Sequence, residues 1–325
     1  MRAIVIDQPG GPEVLRYGDF PDPQPQEGEL LMRVHATALN RADLLQRQGK
    51  YPPPPGASPI LGLELAGEVV QPAGAWKEGD RIMALVSGGG YAQYAAVPAA
   101  MAMPLPSSFS YEQGAAIPEV FLTAYLNLFD LGRLHAGDSV LIHAGASGVG
   151  TAAIQLARAA DARVFVTASS DEKLQRCSEL GAEAIINYNQ QAFRERALEL
   201  TGGRGVDVIL DFVGAPYWDD NLAALAVGGR LMLVGFQGGS VGHMDLAPIL
   251  SKTLTVSGTG LRRTPLPQKI ALTRAFVEFA LPRFERGELV PVIDRVYPLE
   301  QAAEAHRYMH TNANVGKIVL TASHL

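Results

Sequence analysis

A single cysteine, Cys177, stands in the 325 residues. It has no partner for an internal disulfide, which makes a reducing compartment the simpler setting. A structural zinc site built only of cysteines is excluded as well. Long apolar runs are also missing: no uncharged stretch reaches the ~18 residues of a membrane span. The opening Met1-Arg2-Ala3-Ile4-Val5-Ile6-Asp7 lacks the longer apolar core of a signal peptide. Basic charge is in deficit, with 27 Lys and Arg against 33 Asp and Glu and a net charge of -6. That balance argues against a nucleic-acid partner, because phosphate binding needs a basic face. A cytoplasmic protein with neither membrane nor nucleic acid as partner is expected. What is present is an ordinary globular balance, 47% hydrophobic and 18% charged, in a chain long enough for two domains.

The first ~120 residues are rich in proline and glycine with short β-like runs, such as Ala3–Ile6, Leu30–Val34 and Ala66–Val70. Turn chemistry separates them at Gly10-Gly11-Pro12, between Pro21 and Gly28, and at Pro52-Pro53-Pro54-Pro55-Gly56, which predicts an irregular, mainly β domain. Near residue 120 the pattern changes. Strand signals at 139–143, 163–167, 184–187, 206–210 and 230–234 alternate with helical ones at 151–160 and 171–180. Alternation of this kind predicts a doubly wound parallel sheet with helices on both faces, an α/β fold of Rossmann type. A long helix is expected from about Pro267 to about Arg286, and the strand-like Gly316–Leu320 resembles the first domain more than the second. The expected division is 1–120 with 265–325 as one domain and 121–264 as the other.

Between a strand entering at Val140 and a helix leaving after Gly150 lies His143-Ala144-Gly145-Ala146-Ser147-Gly148-Val149-Gly150. This is a Gly145-x-Ser147-x-x-Gly150 variant of the dinucleotide turn. Its first position makes a tight bend, its second lets backbone approach the pyrophosphate, and its third lets helix and strand pack closely. The helix start then offers free N–H groups and partial positive charge to the phosphates. A glycine-rich turn also closes ordinary loops; the strand, turn, helix and second strand in order favour the nucleotide reading. Gly145, Ser147, Gly148, Val149 and Gly150 are the candidate contacts. Ser147, in place of the middle glycine, can bond the cofactor or cap the helix. NAD-preferring sites carry an acid at the end of the second strand. Here that strand ends Thr167-Ala168-Ser169-Ser170, with Lys173 one turn on. Hydroxyls and a cation suit a 2′-phosphate, so NADPH is the expected cofactor. Capping and a solvated helix face are the plainer roles for these residues. Tyr188, just after the third strand, is a further candidate at the adenosine end, or a half-buried strand-end tyrosine. His143 is expected to be packed and hydrogen-bonded rather than a metal ligand. The seven histidines show no close ligand spacing, and no Gly-x-Ser-x-Gly nucleophile elbow surrounds Ser147.

An ordered series of stretches resembles the medium-chain dehydrogenase/reductase superfamily, and within it the zeta-crystallin-like quinone oxidoreductases. These are Ala38–Asp43, Leu61–Val69, Gly79–Arg81, Gly90–Tyr94, Ala115–Pro118 with Leu122–Tyr125, and the turn at 143–150. The stretches Asn40–Gly49, Tyr51–Ser58 and His143–Gln155 look closest to the tumour-suppressor-inducible quinone oxidoreductase branch. The resemblance implies a GroES-like catalytic domain beside the Rossmann domain. It also implies no zinc: Asn40 stands where zinc-dependent relatives carry a catalytic Cys, and Leu63 where they carry a His. Their four-cysteine loop is missing between Gly79-Asp80-Arg81 and Tyr91. Glu64 keeps the acid of that pattern, with a structural role expected, paired to a cation or to backbone N–H groups.

What the resemblance implies for chemistry is hydride transfer from NADPH to a quinone, with donors near the oxygen that gains charge and water excluded. It places Asn40, Tyr51 and Ser147 near the nicotinamide as catalytic candidates. Thr123, Phe236 and, more weakly, Asn314 become candidate cofactor contacts. Each has a plainer role: a turn residue for Asn40, a surface aromatic for Tyr51, helix capping for Thr123, a core aromatic for Phe236. A homodimer or dimer of dimers is implied, through an edge strand at Leu254–Gly258. Two rivals stay open. One is an enone, alkenal or enoyl-thioester reductase on the same fold, whose CoA phosphates would want a basic patch such as Arg262-Arg263. The other is a non-catalytic NADPH-binding protein, crystallin-like or RNA-binding, against which the acidic balance counts.

Overall fold

The computed structural model describes residues 1–323. Its N-terminal stretch runs through β1 (Arg2–Val5), β2 (Arg16–Asp19), β3 (Glu29–Ala38), α1 (Arg41–Arg47), β4 (Glu64–Gln71), β5 (Arg81–Leu85), β6 (Tyr94–Pro98), β7 (Ala102–Pro104), α2 (Tyr111–Ala115) and α3 (Pro118–Tyr125). Next come β8 (Ser139–Ile142), α4 (Gly148–Ala159), β9 (Arg163–Ala168), α5 (Asp171–Glu179), β10 (Ala184–Asn187), α6 (Phe193–Leu200), β11 (Val206–Asp211), α7 (Trp218–Ala224), β12 (Leu225–Leu233), α8 (Ala247–Ser251) and β13 (Thr255–Gly258). The last stretch holds α9 (Leu266–Glu285), β14 (Ile293–Pro298), α10 (Ala302–His310) and β15 (Lys317–Thr321). Two units result. One joins Met1–Leu122 to the residues from Arg262 onward, and the other is Thr123–Leu261.

The second unit is a six-stranded sheet in the order β10-β9-β8-β11-β12-β13, with every neighbouring pair parallel. Such strands are covered on both faces and read as unbroken apolar runs, as Val140-Leu141-Ile142 does, fully buried. Leu141, Phe165, Ile186, Ile209 and Leu231 meet Trp218 and Leu222 in one core. The strand order reverses between β8 and β11, and open α/β sheets bind ligands beyond the carboxyl ends of the strands at such a switch. The expected α/β Rossmann-type fold is thus observed. The helix expected at 151–160 begins three residues earlier, because Ser147 caps it by accepting the Gly150 N–H. Gly181, at φ +107°, ends the chain's run through α5 in a conformation that favours glycine.

The first unit is mainly β, ordered β14-β15-β3-β4-β5-β7, with β6 also paired to β3. β3 alternates, burying Leu30, Met32, Val34 and Ala36. Its free edge is shared: Glu29–Arg33 pair with β6, and Ala36–Ala38 with β15. Leu30, Met32, Leu65, Ile82 and Val97 form one core of this unit. Leu39, Leu61, Tyr91, Ile318 and Leu320 form another beneath α10.

Candidate active site

In the nucleotide unit the turn between β8 and α4 is tight in the way phosphate approach needs. A Cβ on Gly150 would lie 2.5 Å from the carbonyl oxygens of both Ala144 and Gly145, and one on Gly145 would lie 2.8 Å from Val166 Cβ. Glycine at 145 and 150 is therefore demanded by backbone and strand packing. Ala144 adopts φ +49°, a left-handed conformation that costs a non-glycine residue of order 1 kcal/mol and clusters at functional turns. Ser147 Oγ accepts the Gly150 N–H at 3.1 Å, which leaves its own proton to give. Gly148 and Val149 form the first turn of α4 beside it.

Ser169 and Ser170 close β9, as expected, and their roles divide. Ser170 Oγ accepts the Lys173 N–H as the cap of α5. Its proton goes to Glu172, which that bond holds below the usual carboxylate range. Ser169 has no such duty; only its carbonyl is used, by Asn189 Nδ2 at 2.9 Å. Asp171 is turned away, its Oδ1 accepting from Asn187 Nδ2 at 2.8 Å. No carboxylate side chain turns in to close the strand, and Ser169 and Lys173 stand at its end. Tyr188, 42% exposed, is tied to the same edge by its N–H to Ala168 O. Burial and the neighbouring Tyr188 raise the Tyr217 hydroxyl above its ordinary value, so two tyrosines share this end of the sheet. Phe236 is 53% exposed after β12 rather than a core aromatic. Thr123 is buried inside α3, so it does not cap that helix; its carbonyl accepts from Asn127 Nδ2 at 2.8 Å.

Beneath the turn runs a buried polar chain that the sequence did not announce. His143 Nδ1 lies 3.0 Å from Thr167 Oγ1, and Nε2 lies 2.7 Å from Asn221 Oδ1. Asn221 Nδ2 then donates to Asp211 Oδ2 at 3.2 Å. Asp211 Oδ1 accepts the Val213 and Gly214 N–H groups. An Oδ1 acceptor places the imidazole proton on Nε2. Full burial, countered by the bond to Asn221, pushes His143 down to about 4. Burial pushes Asp211 up to about 6. The chain links the ends of β9, β8 and β11 and so fixes the floor of the switch point. His143 is packed and hydrogen-bonded, as expected; Asn221 and Asp211 were missed because a strand-end acid and a helical amide look like ordinary solvated residues.

In the other unit, Asn40 sits in a second buried network. Lys317 Nζ is held by Glu64 Oε1 at 2.7 Å, Asn40 Oδ1 at 2.7 Å and Leu39 O at 2.6 Å. Asn40 Nδ2 donates to Glu64 Oε1 at 2.9 Å, and Glu64 Oε2 accepts the Glu119 N–H at 2.8 Å. The acid expected to pair with a cation or a backbone N–H does both. The carboxamide of Asn40 is spent inside this network. These donors do not fit a metal, since the one carboxylate already faces an ammonium, and no metal-holding group of three His, Cys, Asp or Glu occurs among the described residues. Beside it, Arg47, His306, Tyr91 and Asp43 form a directed chain. Arg47 Nη1 lies 3.3 Å from His306 Nδ1, and His306 Nε2 lies 3.1 Å from Tyr91 Oη. Tyr91 Oη donates to Asp43 Oδ2 at 3.4 Å. Burial lifts Asp43 to about 6 and lowers His306 to about 3. Asn314 braces the bend into β15, its Nδ2 donating to Gly316 O at 2.8 Å.

Tyr51 is half-buried after α1. The guanidinium carbons of Arg262 and Arg263 lie 5.3 and 5.7 Å from its ring centroid. Arg262 is itself fixed, donating to Ser87 O from Nε at 3.0 Å and Nη2 at 2.7 Å, and to Gln46 Oε1 at 2.7 Å. The Tyr51 hydroxyl has no hydrogen-bond partner among the described residues.

Comparison with known proteins places the chain in a class. Residues 26–107 match the alcohol dehydrogenase GroES-like domain, and 148–276 match the family described as zinc-binding dehydrogenase. The quinone oxidoreductase of Rattus norvegicus is 32% identical over 329 residues, covering 98% of this chain and 97% of the relative. The structure of Escherichia coli quinone oxidoreductase complexed with NADPH is 30% identical with a TM-score of 0.88, covering 99% of this chain and 100% of that one. A structure described as an NAD-dependent alcohol dehydrogenase is 34% identical with a TM-score of 0.88 at coverage of 99% and 100%. The fold and these likenesses define an oxidoreductase of the medium-chain dehydrogenase/reductase superfamily, and the chain belongs to its quinone oxidoreductase family. No helix among the described residues is long and apolar enough to cross a membrane.

Proposed function

We propose that the chain is an NADPH-dependent reductase whose acceptor is a quinone. NADPH supplies a hydride when bound, and quinone, NADPH and a proton give hydroquinone and NADP+. The observation that carries this reading is the contrast between Tyr51 and Asn40. A quinone gaining hydride builds negative charge on oxygen, and one well-held O–H donor stabilises it without a metal. Tyr51 offers such a group: its ring is held by a fixed guanidinium, and its hydroxyl is uncommitted. Asn40 has no N–H or carbonyl left to give, so it acts by holding Glu64 and Lys317 in place. In the nucleotide unit, Ser147 keeps its own proton to give while it caps α4. The names of the relatives support the quinone, and the Ser169–Lys173 strand end supports NADPH over NADH.

The enoyl-thioester rival loses half of its basic patch, because Arg262 is 8% exposed and its donors are taken by Ser87, Gln46 and Tyr51 carbonyl or amide oxygens. β13 is one edge of the six-stranded sheet, β10 the other, and we place self-association at β13. The buried Cys177 thiol, pushed up to about 12 by burial, fits a reducing, cytoplasmic setting. The test is NADPH oxidation against a panel of quinones and enals. Turnover with 1,2- and 1,4-naphthoquinone and little with alkenals is expected. Turnover confined to enals would move the assignment to the enone reductases, and none with any acceptor would leave a binding protein.

A further inference from the structure

Arg262 and Arg263 are adjacent in sequence and opposite in use. Arg262 points inward and spends its donors on Ser87 and Gln46. Arg263 is exposed, and among the described residues no carbonyl, amide or carboxylate takes its guanidinium; its contact is the face of Tyr51 at 5.7 Å. Lys269, 9% exposed, reaches Ser87 Oγ at 3.3 Å from the same side. None of these three cations makes an ion pair with a carboxylate among the described residues. Elsewhere on this chain arginines do find acids, as Arg163 finds Glu183 and Arg204 finds Asp207. Burial and the nearby Arg262 lower Lys269 below its ordinary value, and burial lowers Arg262. Like charges gathered without a directly paired carboxylate raise the local anion concentration; the nearby Asp43 acts on Arg262 only from a distance. A negative charge beside Tyr51 would be drawn to them.

Resting on the quinone reading, we propose that Arg263 is a specificity-determining residue that recognises an anionic substituent on the acceptor, so that the enzyme prefers reducible rings carrying a sulfonate, carboxylate or phosphate. The planar guanidinium gives two parallel N–H donors to such a group. Being exposed and uncommitted, its donors are available to such a group while the Tyr51 hydroxyl meets the acceptor oxygen. Arg262 supplies background potential and fixes the ring; Arg263 makes the contact.

The experiment compares 1,2-naphthoquinone with its 4-sulfonate, in wild type and in Arg263→Gln, Arg263→Lys and Arg263→Glu. The reading is the kcat/KM ratio of sulfonate to parent, in which the differing reactivities of the two quinones cancel between variants. Arg263→Gln is expected to lower that ratio about tenfold, the size of one charge-assisted hydrogen bond. Arg263→Lys should keep a part of it, and Arg263→Glu should invert it. The wild-type preference should also shrink between low and high salt. A short enoyl-CoA is the second probe, since its phosphates are an anion of another source; reduction that depends on Arg263 with the thioester and not with the sulfonate would overturn the proposal. An unchanged ratio in all variants would overturn it, as would a loss confined to the NADPH KM. Failure of every quinone, charged or neutral, would instead overturn the parent reading.

Discussion

Replacing Lys317 by Met removes the ammonium from a place where three oxygens converge on it. The substitution keeps the length and apolar stem of the side chain, so packing is little changed. What is lost is a donor to Leu39 O, to Asn40 Oδ1 and to Glu64 Oε1, all within 2.7 Å. Glu64 is 0% exposed, so its carboxylate is left in the interior with only the Glu119 N–H and the Asn40 amide. Removing one partner of a buried pair costs about 3–5 kcal/mol. At ~2–4 °C per kcal/mol for a unit of this size, the melting temperature should fall by roughly 6–20 °C. Glu64→Leu combined with Lys317→Met removes both charges and should recover most of the loss, because apolar replacement of a whole buried pair is often neutral. Calorimetry of the four proteins of the cycle gives the coupling directly. A loss below about 1 kcal/mol in Lys317→Met, or additivity in the double variant, would refute the view that the ammonium is what makes a buried Glu64 tolerable.

Tyr51→Phe and Ser147→Ala should each lower quinone kcat more than they change NADPH affinity, measured by steady-state kinetics beside fluorescence titration of the cofactor; unchanged turnover in both would remove them from the mechanism. Ser169→Asp puts a carboxylate where the 2′-phosphate is expected and should shift the NADPH to NADH ratio of kcat/KM toward NADH by about tenfold or more. His143→Gln tests the buried chain through pH. The native imidazole stays neutral down to about 4 while the unfolded one protonates near 6.5, so wild-type stability is lost as pH falls across that window. At most about 3 kcal/mol is at stake. Urea midpoints at pH 7, 5.5 and 4.5 should decline less in the variant. Asp211, raised to about 6, acts with the opposite sign, contributing stability below its unfolded value that is lost as pH rises through 6. A variant curve parallel to wild type would mean that His143 is not held neutral.

The parts legible in the sequence are those whose causes are local. The turn at 143–150 announces itself because Gly150 answers to backbone oxygens a few residues away and Gly145 to the Val166 side chain on the next strand. The alternating strands of the nucleotide unit are readable because both of their faces are buried. Ser169 and Ser170 could be placed at the strand end, but not told apart, since the division depends on Glu172 taking one hydroxyl. Asn40 looked like a donor to substrate because nothing nearby in sequence hints that a lysine 277 residues away takes its carbonyl oxygen. Arg262 and Arg263 read as one basic pair. Only packing against Ser87 and Gln46 turns the first inward.

The placement of β15 has a consequence for how the chain is made. Residues 123–261 are one uninterrupted stretch, and every strand of their sheet has been synthesised before the ribosome reaches Arg262. The other unit must wait. Val319 pairs with Ala38, and β15 lies between β14 and β3, so the Ala36–Ala38 part of an early strand, beyond the Glu29–Arg33 part that β6 covers, stays unpaired until β15 is made. Through that interval Glu64 also lacks its ammonium. Synthesis therefore completes the residues of the nucleotide-unit floor well before those of the acid network, and the short Ala36–Ala38 edge is left open for the interval between.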